Sequence, residues 1–334
     1  MLLKRISSVV CAIFVVFAPS LSHPQNFVER EEVKAYLDEL SGSYGFSRNN
    51  LEKILSDHKP NKRIIDLISR PSEKRLQWHE YRKILVDEAR IKLGVEFWNE
   101  NIGALSEAEQ VYSVAPEIIV AIIGVETRYG KIMGSYPVVE ALSTLAFDYP
   151  PRAKFFRKEL TEFFILTRDQ KLDPASLTGS YAGAMGYGQF IPSSYRAYAV
   201  DFDGDNFKDI WNNKADAIGS VANYFSRHGW QGDGPVIVRG YKTSHNLDVA
   251  ANESLEPKFL AGDLRKKGIR NNLADNTKVA LFEMQGERGR EYWLGLSDFY
   301  VITRYNRSSM YALAVFQLSQ AIKQERIDLL NSLN

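Results

Sequence analysis

The chain has 334 residues, with 42 basic and 41 acidic side chains and a formal charge of +1. That length can bury a large core and suits two or three domains. Apolar residues at 45% and charged residues at 25% fit an ordinary globular protein. They exclude a basic nucleic-acid footprint and a long acidic disordered tail.

Lys4 and Arg5 precede an apolar run from Val9 to Ala18, and Pro19-Ser-Leu-Ser22 follows. This is the charged, apolar and small-residue order of a secretory signal peptide, expected over residues 1–22 with cleavage after Ser22. The run is short for a membrane span, so an N-terminal anchor is the lesser reading. Removal takes Lys4 and Arg5 and no acidic residue, leaving a formal charge of −1. It also removes Cys11, the only cysteine, so the exported chain has neither a disulfide framework nor thiol chemistry. Too little apolar sequence precedes Cys11 to make it a convincing lipid-acceptor cysteine. The expectation is a soluble exported protein with no transmembrane segment.

Residues 23–112 read as an N-terminal α-helical domain. Val33, Tyr36, Leu37 and Leu40 have helical spacing, and Ser47 to Leu55 repeats it behind a Gly-containing turn. Residues 72–92 and 106–114 continue the pattern. Trp78, Tyr81, Phe97 and Trp98 read as packing residues rather than a ligand cage. No repeat period is visible.

Residues 113–231 read as the core. Pro116 to Gly130 is a short, nearly all-apolar helix with Pro at its first turn, Gly at its stop and one carboxylate, Glu126, near its end. Glu126 extends the apolar stripe of Ile119, Ile122 and Ile123. A carboxyl set against aliphatic side chains tends to keep its proton, which suits a general acid. The alternative is a solvated glutamate paired with Arg128. Val138 to Ala146 and Ala153 to Thr167 read as amphipathic helices.

In Ser180 to Pro192, Gly183, Gly186 and Gly188 permit close backbone approach or positive φ. Their spacing is not a dinucleotide fingerprint, and no Gly-Lys-Ser/Thr follows, so no organic cofactor is expected. Asp201-Phe-Asp-Gly-Asp-Asn-Phe-Lys-Asp-Ile-Trp211 then carries acids at positions 1, 3 and 5, as an EF-hand loop does. Asn206 and Asn212 replace the usual Gly at position 6 and Glu at position 12. Asp209 or Asp216 can close the set, and Phe207 can add its carbonyl. A structural calcium ion and a solvated acidic turn both fit this pattern.

Residues 232–298 read as a small β-rich insertion, with strands expected at Val236–Tyr241, Lys278–Met284, Glu291–Leu296 and Phe299–Ile302. Residues 299–334 return to the core, and Ser308 to Ile322 is a strongly apolar helix.

Four motifs in order carry a resemblance. They are Gly124-Val-Glu-Thr-Arg-Tyr-Gly130, Ala182-Gly-Ala-Met-Gly-Tyr-Gly-Gln-Phe-Ile-Pro-Ser-Ser-Tyr195, Ala217-Ile-Gly-Ser-Val-Ala-Asn-Tyr-Phe225 and Ile302-Thr-Arg-Tyr-Asn306. Over roughly residues 95–325 the chain resembles the membrane-bound lytic murein transglycosylase B family, the lysozyme-like lytic transglycosylases of glycoside hydrolase family 103.

The resemblance implies a mainly α, α+β fold: a lysozyme-like helical core with an N-terminal helical domain, a small inserted β domain and an EF-hand-like calcium loop over 201–216. It implies the glycan strand of peptidoglycan as substrate and Glu126 as the sole acid/base. By motif it carries sugar contacts to Arg152, Ser180, Gln189, Phe190, Tyr224, Tyr305, Asn306 and Tyr311. It carries calcium ligands to Asp201, Asp203, Asp205, Phe207 and Asp216. Paired arginines after Tyr-Pro in the family appear here as Pro151-Arg152.

The implied reaction cleaves the MurNAc-β-1,4-GlcNAc bond by attack of the muramyl C6 hydroxyl, leaving 1,6-anhydro ends. This needs no second carboxylate, and the core motifs offer none that convinces. Its rivals are a hydrolytic muramidase on the same scaffold and a non-catalytic peptidoglycan-binding scaffold protein. A periplasmic location follows from export. Other cell-wall enzymes are conceivable partners.

Overall fold

A computed structural model of the chain describes residues 26–56, 58–70, 76–243 and 249–332. The expected signal peptide over 1–22, with Cys11, lies outside them. The described residues form fourteen α-helices and seven strands, so the fold is mainly helical with one five-stranded sheet and one two-stranded pair. Two compact units divide at residues 57 and 58.

In the first unit, α1 (Glu31–Tyr44) packs with α2 (Arg48–Leu55). Gly45 ends α1 in the left-handed region, and Ser47 caps α2 by accepting the Asn50 N–H. Val33, Tyr36, Leu37 and Leu40 are buried on one face of α1, as their spacing predicts.

The second unit begins with α3 (Lys62–Ser69), α4 (Trp78–Leu85), α5 (Glu88–Glu100) and α6 (Ile102–Tyr112). Trp78, Tyr81, Phe97 and Trp98 are all buried. Next comes α7 (Pro116–Thr127), the central helix, in which every residue from Pro116 to Gly124 is buried. A helix apolar on all sides can sit only inside a core. It is flanked by α5, α6, α11 (Lys214–Arg227) and α14 (Ser309–Ser332).

Between α7 and α11 lie β1 (Tyr136–Pro137), α8 (Val138–Asp148), α9 (Ala153–Asp169), β2 (Thr178–Gly179) and α10 (Pro192–Tyr198). The pair α8–α9 packs together, and β1 joins β2 antiparallel. Helix α10 rests on α9, where buried Glu159 accepts both the Ser193 N–H and its hydroxyl, at 2.9 and 2.8 Å.

The sheet follows. It contains β3 (Ile237–Lys242), β4 (Phe259–Leu260), β5 (Ile269–Arg270), β6 (Lys278–Gly286) and β7 (Gly289–Gly295), in the order β4-β6-β7-β3-β5, all antiparallel. Leu264, of the short helix α12 (Ala261–Lys266), joins Ile269, Val279, Leu281, Tyr292 and Leu294 in its core.

One expected strand is corrected. Phe299–Ile302 lies in α13 (Ser297–Tyr305). Four aromatic and branched residues suit either state, and here burial decides. Phe299 and Ile302, one helical turn apart, are both fully buried. The Asp298 carboxylate in the first turn also anchors the helix, accepting the N–H groups of Gln231 and Gly232.

Candidate active site and acidic loop

Glu126 stands half-buried in the last turn of α7. The chain turns sharply behind it, with Arg128, Tyr129 and Gly130 all in the left-handed region at φ of 53°, 61° and 87°. Two of these are not glycine, so the turn must be held by its neighbours. Thr127 Oγ1 bonds the carbonyls of Ile123 and Tyr187 and accepts the Gly130 N–H. Arg128 pairs with Asp87 at 3.0 Å.

Buried Arg90 also binds Asp87 and donates through Nε to the Gly124 carbonyl at 3.1 Å. The Tyr129 hydroxyl donates back to the Arg90 carbonyl at 2.9 Å. Its ring fits only because Gly94 and Gly124 lack side chains. A Cβ on either would lie 2.5 Å from the phenol oxygen.

Tyr311, near the start of α14, donates its hydroxyl to Glu126 Oε1 at 2.5 Å. Burial first, and then the Glu126 charge, push this phenol well above its ordinary range. Tyr311 therefore stays a donor at every physiological pH. Tyr305 is shifted upward by the same two causes, and it donates to the Gly188 carbonyl at 2.5 Å.

Gly188 belongs to the glycine-rich loop, folded back on itself by paired Met185–Phe190 backbone bonds. Gln189 at its tip takes φ 50°, with its amide on the Met133 and Gly186 carbonyls. A Cβ at Gly186 would strike the Ile210 carbonyl at 2.4 Å, so that glycine is a packing requirement. Phe190, Tyr224 and Tyr305 form an aromatic cluster with centroids 4.7–6.1 Å apart. Tyr224 donates to the Arg304 carbonyl at 2.6 Å and stacks on His228 at 4.0 Å. Burial lowers the His228 pKa.

The fold thus brings Glu126, Tyr311, Tyr305, Gln189, Phe190 and Tyr224 into one connected group. Asn306 closes α13 beside Tyr305. Ser180 uses its hydroxyl locally, accepting the N–H groups of Ala182 and Ala184. Arg152 is exposed, its guanidinium over the Phe155 ring at 4.3 Å. Asp87, Arg90 and Thr127 support the site although sequence reasoning gave them no role. Only the adjacency of Thr127 to Glu126 could have flagged any of them.

In the acidic loop, carboxylate oxygens of Asp201, Asp203 and Asp205 lie within 4.8 Å of one another. Asp201 accepts the N–H groups of Gly204, Asp205 and Asn206, which winds the loop around it. Asn206, where an EF-hand has glycine, takes φ 71°, a left-handed conformation that Asn tolerates.

Asp216, fully buried, ties the loop ends together by accepting the Phe202 and Asp209 N–H groups, both at 2.7 Å. Burial raises its pKa against those two bonds. Asp209 instead caps the turn at Trp211 and Asn212. An all-oxygen acidic donor set of this kind fits a hard divalent cation.

Residues 29–320 match the family described as Transglycosylase SLT domain. Membrane-bound lytic murein transglycosylase B of Escherichia coli K12 is 40% identical over 321 residues, 90% of this chain and 85% of the relative. The crystal structure of soluble lytic transglycosylase SltB1 from Pseudomonas aeruginosa is 52% identical. It superposes with a TM-score of 0.85 over 88% of this chain and 99% of that one. Escherichia coli Slt35 in complex with calcium is 41% identical, with a TM-score of 0.83 over 90% and 95% of the two chains. Pseudomonas aeruginosa SltB3 in complex with NAG-anhNAM-pentapeptide is 29% identical, with a TM-score of 0.77 over 90% and 80%. By sequence and by fold, the chain is an enzyme of the lytic transglycosylase family defined by the Transglycosylase SLT domain.

Proposed function

We propose that this enzyme cleaves the MurNAc-β-1,4-GlcNAc bond of peptidoglycan without water, with Glu126 as its single acid and base. The observation that carries the reading is the Tyr311–Glu126 bond of 2.5 Å, at the end of a buried helix and beside the Tyr305–Gly188 wall.

Protonated Glu126 donates to the glycosidic oxygen, and the C1–O bond breaks. The muramyl N-acetyl group steadies the positive charge developing at C1. The C6 hydroxyl of the same sugar attacks C1 and returns its proton to Glu126, so a 1,6-anhydromuramyl end forms and the enzyme is restored. The tethered nucleophile has an entropic advantage over water. Tyr311 serves the step in which Glu126 is ionised, because a hydrogen bond to a carboxylate is stronger than one to the neutral acid. The ligand in the SltB3 complex, NAG-anhNAM-pentapeptide, is of the product type this reaction makes.

In this reading residues 113–231 form the catalytic core, 232–298 the β-rich insertion and 299–334 the return. Arg152, Ser180, Gln189, Phe190, Tyr224, Tyr305 and Asn306 line the sugar path. Asp201, Asp203, Asp205 and Asp216 hold calcium, with the Phe207 carbonyl as a further ligand, and the ion braces the loop without entering the reaction. The Slt35–calcium complex supports this assignment. Residues 1–22 direct export to the periplasm. No single helix among the described residues is long and apolar enough to cross a membrane.

Mass spectrometry of digested sacculi tests the chemistry. Anhydromuramyl ends are expected, while reducing muramic ends would replace the assignment with a hydrolytic muramidase. Glu126→Gln should abolish glycan release. Undiminished release would remove Glu126 from the mechanism, and no release by either protein would leave a peptidoglycan-binding scaffold.

A further inference from the structure

A concavity lies at the C-terminal end of α13, next to Tyr305 and Asn306 in the chain. Its volume is about 330 Å³, and its lining includes Arg304, Arg307, Glu253, Glu256, Tyr300 and Ser254. One wall is the C-terminal part of α13 and the turn after it. The other is the loop preceding β4. Buried Phe282 and Thr303 also contribute.

Both walls are fixed. Asn252, at φ 64°, clips its loop to β6 by donating to the Leu281 and Glu283 carbonyls and accepting the Glu283 N–H. Ser254 Oγ accepts the Glu256 N–H at 3.1 Å, which sets the turn bearing the two carboxylates. On the opposite side, Thr303 Oγ1 donates to the Tyr300 carbonyl, and the Arg304 guanidinium lies 5.9 Å from the Tyr300 ring.

Glu253, Glu256, Arg304 and Arg307 are all exposed at the mouth of this hollow. Two guanidinium groups and two carboxylates line one hollow, and none of the four makes an ion pair with a described residue. Cationic and anionic side chains share the cavity without neutralising each other. Such a surface matches a short ligand that carries both signs of charge.

Position narrows the ligand class. Arg304 and Arg307 bracket Tyr305-Asn306, and the Tyr305 phenol feels the Glu126 charge. The Arg304 carbonyl receives the Tyr224 hydroxyl. A ligand in this hollow is therefore within a few residues of the sugar path. Peptidoglycan strands carry their peptides on the muramyl lactyl group, and those peptides bear carboxylates together with a free amine where a diamino acid is present.

We infer that the hollow between Arg304–Arg307 and Glu253–Glu256 is a subsite for a peptide stem of the substrate strand, with the arginines on its carboxylates and the glutamates on its ammonium group. This rests on the peptidoglycan reading above. It makes the enzyme a reader of stem peptides as well as of sugars.

The test uses full-length Glu126→Gln protein, so that binding is read apart from turnover. Calorimetry compares glycan strands bearing stems with strands stripped of them by an amidase. Arg307→Gln should weaken binding of stem-bearing strands roughly tenfold, the scale of one charge-assisted bond, and leave stripped strands unaffected. Adding Arg304→Gln should deepen the loss on stem-bearing strands. Free stem peptide should compete with stem-bearing strands for the parent but not for the double variant.

Equal weakening on both ligands would show that the arginines serve the glycan, and unchanged binding on both would show no subsite. Either overturns the inference. Absence of anhydromuramyl product from the wild-type enzyme would instead overturn the catalytic reading, a separate measurement from these affinities.

Discussion

Asp216→Ala isolates what holds the acidic loop closed. The carboxylate is fully buried and satisfies two backbone N–H groups, Phe202 and Asp209, at 2.7 Å each. Truncation orphans both donors, at about 1–3 kcal/mol apiece. Part of that returns, because burial already works against the Asp216 charge, as its raised pKa records. A net loss of about 2–4 kcal/mol remains. Taking about 2–4 °C per kcal/mol as the guide, it lowers the melting temperature by roughly 4–16 °C.

Thermal melts followed by circular dichroism in chelator read this directly. Adding calcium at a hundredfold excess over its Kd should then give the parent about 2.7 kcal/mol more stability and Asp216→Ala distinctly less. Asp216→Asn, which keeps one acceptor oxygen, should fall between the two in chelator. A melt of Asp216→Ala in chelator within a degree of the parent would refute the hydrogen-bond reasoning. An equal calcium gain in both proteins would refute the ligand role.

Tyr311→Phe should slow glycan release about tenfold to a hundredfold, the scale of a lost bond to a charged group. Sacculus digestion rates at fixed pH check this, with an unaltered melt excluding misfolding. His228 has its pKa depressed chiefly by burial, so between that value and the unfolded 6.5 the unfolded chain binds more protons. Stability from this group is present above about pH 6.5 and is lost as pH falls through the depressed folded value. His228→Gln should flatten that part of the melting-temperature profile between pH 7 and 5. Gly124→Ala should lower both stability and rate. Its Cβ meets the Tyr129 phenol at 2.5 Å, and overpacking of about 1–3 kcal/mol exceeds the roughly 1 kcal/mol that alanine adds to a helix interior.

Helix α7 was legible from the proline at its start and the nearly all-apolar run that follows, although Arg128 in the left-handed region, and not Gly130, ends it. The four residues Phe299 to Ile302 misled because a short apolar run has no period of its own. Only the side chains that cover Phe299 and Ile302 make the segment a helix. Asn206 looked like a defect in the acidic loop and is instead an adequate left-handed residue. Tyr311 is 185 residues from Glu126, in a stretch where an aromatic residue reads as core, and its hydroxyl contact needed three dimensions. Ser180 shows the reverse case, a motif residue whose hydroxyl is engaged in shaping its own turn. Asp87 and Arg90 look like an ordinary surface pair in sequence, since nothing local reveals that the arginine is buried.

Arg90 has a consequence for motion. One guanidinium holds the Ile84 carbonyl, the Asp87 carboxylate and the Gly124 carbonyl, while the same residue's own carbonyl takes the Tyr129 hydroxyl. The end of α4, the start of α5 and the end of α7 are thereby registered at one point. Sliding any of them would strip a buried cation of its acceptors, which is costly. The turn that carries Glu126 is therefore held in one position by the three helices together. Tyr311 shares in this fixed frame, since α14 packs on α7 and the Tyr311 hydroxyl meets Glu126 directly. Hydrogen exchange should accordingly find the amides from Gly124 to Gly130 among the slowest in the molecule.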